Sequence, residues 1–286
     1  MGKIAAILKL TRIEHSIMLV IAVLAAELIV NGGMLPQTPT LVFSLITPIF
    51  ISMGAFAIND YFDIKVDRAN KKNRPLVTGA LMPKEALYIA IATILIGVAS
   101  SYFINIYCFA IAIFFGAMSL LYSYRLKEML FWGNAYVALS MVIPFAYGNY
   151  VVSSALSWAI VIVSVLIFSS GLAREIHGTI RDLKGDTKVR NAKTIPKYMG
   201  RKAASIVALL LYIFAIALSM YLFLRIPPFQ SNMIYAILVA LTDLMLLYVG
   251  VGFVANPRQE FYDRTRNVSL AAMGIALIAF LIVPLI

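Results

Sequence analysis

The chain has 286 residues, of which 62% are hydrophobic and 13% charged, with a formal net charge of +11 and a mean hydropathy of +0.91. A water-soluble domain cannot hide that much apolar surface, so the composition excludes one and predicts an integral membrane protein. The lone cysteine, Cys108, lies in an apolar run and excludes an internal disulfide or a multi-cysteine metal site, so any bound metal must be hard and held by oxygen.

The N-terminal MGKIAAILKLTRIEH is amphipathic and basic and has no small-residue cleavage site, so it is not read as a cleaved leader. Apolar stretches follow at 16–30, 41–58, 86–104, 106–123, 131–150, 156–173, 203–224, 232–253 and 268–286. Each is about long enough for a hydrocarbon core of ~30 Å, with the third and fourth joined by a tight turn around Ser101 to Ile106. No linker, low-complexity segment or polar domain interrupts them. The expected architecture is therefore all-α, with nine transmembrane helices in one bundle and a single intramembrane domain over 1–286. Of the 24 Lys and Arg residues, only Arg225 falls on the far side of a nine-span topology. The positive-inside rule then predicts a multi-pass protein of the cell membrane with a cytoplasmic N-terminus, cytoplasmic large loops and an outside C-terminus. Basic charge placed this way sets topology and meets lipid headgroups. Nucleic acid is accordingly not an expected partner, and no obligatory protein partner is evident.

Two acidic patterns close the second and sixth spans: Asn59, Asp63 and Asp67 in AINDYFDIKVDRANKKNRPL, and Asp182 and Asp186 in REIHGTIRDLKGDTKVRNAKT. A step of four residues on a helix stacks the oxygen ligands on nearly one face, about 6 Å apart. The four aspartates among these five residues belong to a set of only 13 acidic residues, and they sit beside Lys and Arg, which points to divalent metal and phosphate. Mg²⁺ suits such a set, because it takes few carboxylates and completes its shell with water and phosphate oxygens. Asp63 and Asp182 are separated by four spans, which predicts two parallel four-helix halves, each supplying an acidic helix end to a shared cytoplasmic site, plus a ninth helix. Most of the cations around the motifs (Arg68, Lys71, Lys72, Arg181, Lys184 and Lys188) read as topology determinants. Arg74 stands apart, since Pro75 restricts its backbone and a fixed guanidinium can grip phosphate as a fork. Arg12 and Lys127 lie at cytoplasmic helix ends and are expected to serve either as snorkelling cations or, like Arg74, as groups that grip phosphate. Tyr61 is the one aromatic expected to touch substrate, whereas Tyr122 and Tyr124 fit an interfacial belt. His15 and His177 read as polar boundary residues and Glu27 as structural. Asp243, near the middle of the eighth span, either lines the chamber or makes a structural hydrogen bond.

NDYFDIKVDRANKKNRPLVTGAL and RDLKGD resemble the two signature segments of the UbiA superfamily of intramembrane prenyltransferases, and the nine-span topology extends the resemblance over nearly the whole chain. Within it, NDYFD, VDR, NRP, TG, RE, D-x-x-G-D and AKTIP are most similar to the digeranylgeranylglyceryl phosphate synthase subfamily of archaeal ether-lipid synthesis. Gly178 and Thr179 stand where many relatives carry Lys-Asp, so a third carboxylate in the second motif is missing. The resemblance implies Mg²⁺-dependent transfer of a geranylgeranyl group from geranylgeranyl diphosphate to the hydroxyl of geranylgeranylglyceryl phosphate. In that reading Asp63, Asp67, Asp182 and Asp186 are catalytic and, with Asn59, hold the metal, while Arg12, Tyr61, Arg74 and Lys127 bind substrate. Two alternatives stay open: a prenyltransferase of the same superfamily acting on an aromatic, quinone-precursor or haem acceptor, and a cation-coupled transporter.

Overall fold

The computed structural model describes residues 2–129, 131–189, 195–256 and 258–286, with side chains throughout except over 183–189. In chain order the helices are α1 (Lys3–Thr11), α2 (Ile13–Val30), α3 (Thr38–Ala69), α4 (Pro75–Thr78), α5 (Pro83–Tyr102), α6 (Ile106–Tyr124), α7 (Trp132–Val152), α8 (Trp158–Val189), α9 (Ile195–Met199), α10 (Arg201–Arg225), α11 (Met233–Ala255) and α12 (Gln259–Ile282). Among the described residues, nine of these are long and apolar enough to cross a membrane: α2, α3, α5, α6, α7, α8, α10, α11 and α12. They match the nine predicted spans, and no strand occurs among the described residues.

Three helices outrun their apolar stretches: α3 continues past 58 to Ala69, α8 continues past 173 to Val189, and α12 begins at Gln259, ahead of 268. Hydropathy detects only the apolar part of a helix, whereas the backbone hydrogen bonds continue wherever polar side chains can be solvated. At 32 residues, α3 and α8 are each about 48 Å long, well beyond a ~30 Å core. The first acidic motif therefore lies on the side of a continuous helix, not at a frayed end.

Small residues explain the tightest pairing. Helix α3 buries Ser44, Thr47, Ile51, Gly54 and Ile58, and α5 buries Ala86, Ala90, Thr93, Gly97 and Ser100, both spaced alternately by three and four. Such stripes let two backbones approach closely where lipid offers no hydrophobic gain for association. A Cβ on Gly54 would lie 2.8 Å from the Ala90 carbonyl oxygen, and one on Gly97 would lie 3.0 Å from that of Thr47. Hydroxyls reinforce the stripe: Thr47 and Ser100 share a 3.3 Å hydrogen bond, and Ser16 on α2 meets Ser52 on α3 at 2.5 Å.

The chain forms two compact units, Met1–Val23 with Pro36–Lys127, and Leu24–Leu35 with Glu128–Ile286. The boundary falls between the fourth and fifth spans, as the spacing of the motifs predicts, except that α2 contributes to both units. In the first unit a small apolar cluster ties Ala6 and Leu10 of α1, Ala57 and Ile58 of α3, Leu76 of α4, and Ala86 and Ala90 of α5. The core of the second unit gathers Leu172, Ala173, Ile176 and Ile180 of α8 against Ala208 and Tyr212 of α10, Val249 and Phe253 of α11, and Tyr262 of α12.

Candidate active site

In the first unit the acidic face of α3 is held by cations delivered from three separate elements. Helix α1 ends at Arg12, whose left-handed backbone (φ 46°) breaks the chain between α1 and α2. That conformation costs a non-glycine residue about 1–2 kcal/mol. Arg12 Nη2 donates to Asp60 Oδ1 at 2.7 Å, and its guanidinium lies 4.7 Å from the centroid of the Phe56 ring. Arg74 precedes α4 with an extended backbone (φ −107°, ψ 148°), the conformation that the following Pro75 favours. Its Nη1 donates to the same Asp60 oxygen, and its Nε lies 3.4 Å from Asp67 Oδ2. Lys72 Nζ lies 2.9 Å from Asp67 Oδ1, and Lys127 Nζ donates to Asp63 Oδ1 at 2.7 Å. The apolar cluster of α1, α3, α4 and α5 thus places Arg12 and Arg74 on one buried carboxylate. Tyr61 packs on the edge of that cluster, half-buried.

The result is three carboxylates, Asp60, Asp63 and Asp67, among four cations, Arg12, Lys72, Arg74 and Lys127. Asp60 is 2% exposed and Asp67 is 3% exposed. Charges so buried persist only when paired and hydrogen-bonded, which this cluster provides. Arg74 bridges two carboxylates, Asp60 and Asp67. Arg12 and Lys127, expected outside the acidic motifs, instead sit directly on Asp60 and Asp63. The cause is helix geometry: α3 continues through the motif, so its carboxylates reach the ends of α1 and α6. Asp60 is the residue that the four-residue spacing overlooks. At 100° per residue it falls within about 20° of Asp67 and about 60° of Asp63 on the helical wheel, and that wheel position could have found it.

In the second unit Asp182 on α8 accepts two hydrogen bonds from its neighbour Arg181, from Nε at 2.8 Å and Nη2 at 2.9 Å. Asp186 is on the same helix, but its side chain lies outside the described residues, as do those of Lys184 and Lys188. Asp243 accepts a 2.6 Å hydrogen bond from Ser219 on α10, which is the structural role weighed for it. Glu27 is fully buried. His15 is exposed with Nδ1 3.5 Å from Glu14, whereas His177 is buried and not at a boundary.

Among the described residues no three His, Cys, Asp or Glu side chains converge as a ready-made metal cage. What is present suits Mg²⁺: oxygen donors only, with cations beside them that can accept phosphate. One buried acceptor, Asp60 Oδ2, has no hydrogen-bond partner among the described residues, which leaves a hard oxygen lone pair in the cluster.

Membrane-length helices, one of them carrying an acidic, cation-lined face, define a polytopic membrane protein. The chain belongs to the UbiA prenyltransferase family, whose pattern matches residues 19–271. A digeranylgeranylglyceryl phosphate synthase from Archaeoglobus fulgidus is 33% identical over 276 residues, covering 96% of this chain and 94% of the relative. A solved structure concerned with digeranylgeranylglyceryl phosphate synthase in membranes has a TM-score of 0.82 at 26% identity and covers 100% of this chain and 99% of that one. A UbiA homolog from Archaeoglobus fulgidus, solved bound to DMAPP and Mg²⁺, shares the fold with a TM-score of 0.69 at 18% identity, covering 96% of this chain and 99% of that one.

Proposed function

We propose that this chain transfers a geranylgeranyl group from geranylgeranyl diphosphate to the free hydroxyl of geranylgeranylglyceryl phosphate, with Mg²⁺, in archaeal ether-lipid synthesis. The observation that carries this reading is the acidic face of α3, where carboxylates able to hold metal alternate with donors able to hold phosphate. Family membership and the relatives' shared name support the choice of donor and acceptor.

In this reading Asn59, Asp63 and Asp67 of α3 and Asp182 and Asp186 of α8 hold the metal, and the four aspartates are essential to turnover. Mg²⁺, when bound, neutralises the charge that grows on the departing diphosphate. Arg74 and Lys127, whose donors now rest on Asp60, Asp67 and Asp63, exchange those carboxylates for phosphate oxygens of the donor. Arg12 keeps Asp60 in place, and Tyr61 offers a ring to the prenyl chain from the edge of the apolar cluster. The allylic C–O bond breaks with its electron pair leaving on the diphosphate, and the acceptor hydroxyl oxygen forms the new C–O bond as it loses its proton. A lipid-immersed helical fold keeps bulk water from the allylic cation. The lysine and arginine distribution supports a cytoplasmic N-terminus, a cytoplasmic active site and an outside C-terminus, with membrane lipids as the surroundings. We read residues 1–286 as one prenyltransferase domain.

The test is replacement of Asp63, Asp67, Asp182 or Asp186 by Ala in the purified enzyme. Each is expected to lower turnover by about two orders of magnitude or more, as loss of several kcal/mol of transition-state stabilisation requires, with the protein still folded. Near-wild-type turnover in all four variants would overturn the metal-site assignment.

A further inference from the structure

The second unit contains a cavity of about 210 Å³ walled by α8, α11 and α12, far roomier than the ~10–15 Å³ that one water requires. Its polar wall is made of donors. Arg174 and Arg181 reach it from α8 and Arg266 from α12, while Thr179, Thr265 and Ser269 add hydroxyls. Two carboxylates line the same wall, Glu175 and Asp182, each engaged by its sequence neighbour, Arg174 at 3.3 Å and Arg181 at 2.8 Å, and Asp263 of α12 also acts on Arg181. Among the described residues no ion pair holds Arg266.

The second observation is His177, which lines the cavity and is only 5% exposed. Both ring nitrogens lack a hydrogen-bond partner among the described residues, as do the buried Arg174 Nε and Tyr262 hydroxyl. The histidine cannot turn away to find partners, because its ring stacks on Phe253 with centroids 3.7 Å apart and planes 15° apart. Phe253 stacks in turn on Tyr262 at 4.4 Å and 18°. This three-ring column holds His177 and Tyr262 rigidly at the cavity. Desolvating a polar group without a partner costs about 1–3 kcal/mol, so such atoms in a roomy, arginine-lined cavity mark a place where a ligand completes the hydrogen bonding.

We propose that this cavity binds the phosphate monoester of the acceptor lipid, with Arg174, Arg181 and Arg266 meeting its oxygens and His177 donating from below. The proposal rests on the acceptor assignment made above and places the acceptor's anion site at α8, α11 and α12, away from Arg12 and Lys127, which the reading above gives to Asp60 and to the donor. A dianionic phosphate monoester suits arginine forks without a metal. The donor shares the phosphate chemistry, and Asp182, a metal ligand in the reading above, lines the same cavity, so the kinetics with each substrate varied are what separate acceptor from donor.

The experiment measures binding of geranylgeranylglyceryl phosphate to the purified full-length protein without Mg²⁺, beside the unphosphorylated geranylgeranylglycerol, and then steady-state kinetics with each substrate varied. The variants are Arg266→Gln, at an exposed position, and His177→Phe, which keeps the stack on Phe253 while removing both nitrogens. Wild type should prefer the phosphorylated lipid. Each variant should lose about tenfold or more of that preference, as one charge-assisted hydrogen bond is worth, with the loss in KM for the acceptor and not in KM for geranylgeranyl diphosphate. Unchanged acceptor binding in both variants, or an equal loss for donor and acceptor, would overturn the proposal. A phosphate-dependent binding preference with no transfer to the bound lipid would support the cavity while counting against the proposed reaction.

Discussion

Asp60 offers the sharpest test of the architecture around the acidic helix. It is 2% exposed and receives Arg12 Nη2 at 2.7 Å and Arg74 Nη1 on the same oxygen. Asp60→Asn keeps the shape and one acceptor oxygen but removes the charge, so two charge-assisted hydrogen bonds become neutral-acceptor ones. Each falls from about 1.5–3 to about 0.5–1.5 kcal/mol. The arginine side chains are 21% and 25% exposed, so solvent recovers part of the loss, and the net cost should be about 2 kcal/mol. Asp60→Leu strands both guanidinium groups beside an apolar side chain and should cost more, about 3–5 kcal/mol as for a broken buried pair. Reversible unfolding in mixed micelles measures both. A double-mutant cycle with Arg12→Met isolates the pair, and residues in one ion network should couple by about 0.5–3 kcal/mol. Asp60→Asn within about 0.5 kcal/mol of wild type, together with an additive cycle, would refute the reasoning.

Other outcomes follow from the same structure. Arg74→Lys keeps the charge but loses the fork that spans Asp60 and Asp67, so donor KM should rise clearly, while Lys72→Arg stays nearly silent; equal, mild effects would mean that only the general positive field matters. Gly54→Val would push side-chain atoms toward the Ala90 carbonyl and Thr93 and should lower stability by about 1–3 kcal/mol or more, which the same unfolding assay reads. Chelation with EDTA should abolish turnover and Mg²⁺ should restore it, whereas acceptor binding measured without metal should persist, because the cavity of α8, α11 and α12 uses guanidinium and imidazole groups. Persisting turnover in EDTA would contradict the metal requirement.

The nine spans were legible because membrane-length apolar runs leave a signal in composition that no packing detail can erase. How far α3 and α8 extend beyond their apolar stretches was not, since hydropathy falls once charged residues begin while the helix continues. Asp60 escapes for another reason: on the helix expected for the motif the four-residue step selects only Asn59, Asp63 and Asp67, although Asp60 faces the same way as Asp67. The partners of Arg12 and Lys127 were equally invisible. Arg12 lies 48 residues from Asp60 and Lys127 lies 64 from Asp63, and pairing over such separations depends on how α1 and α6 pack, which periodicity does not encode. Arg74 was recognisable because its constraint is local: Pro75 sets the preceding backbone whatever the tertiary context. His177 was misjudged for the opposite reason. Surrounded in sequence by charged residues, it looks interfacial, yet the stack on Phe253 draws it into the core of the second unit.

The central claim concerns the reaction itself. Purified protein incubated with geranylgeranyl diphosphate, Mg²⁺ and an equal mixture of geranylgeranylglyceryl phosphate and a hydroxybenzoate, with products identified by mass, tests it most directly. The account predicts one dominant product, the doubly prenylated glyceryl phosphate ether, formed with release of diphosphate and lost in Asp63→Ala. A prenylated aromatic ring as the main product, or no diphosphate released with any acceptor, would contradict it.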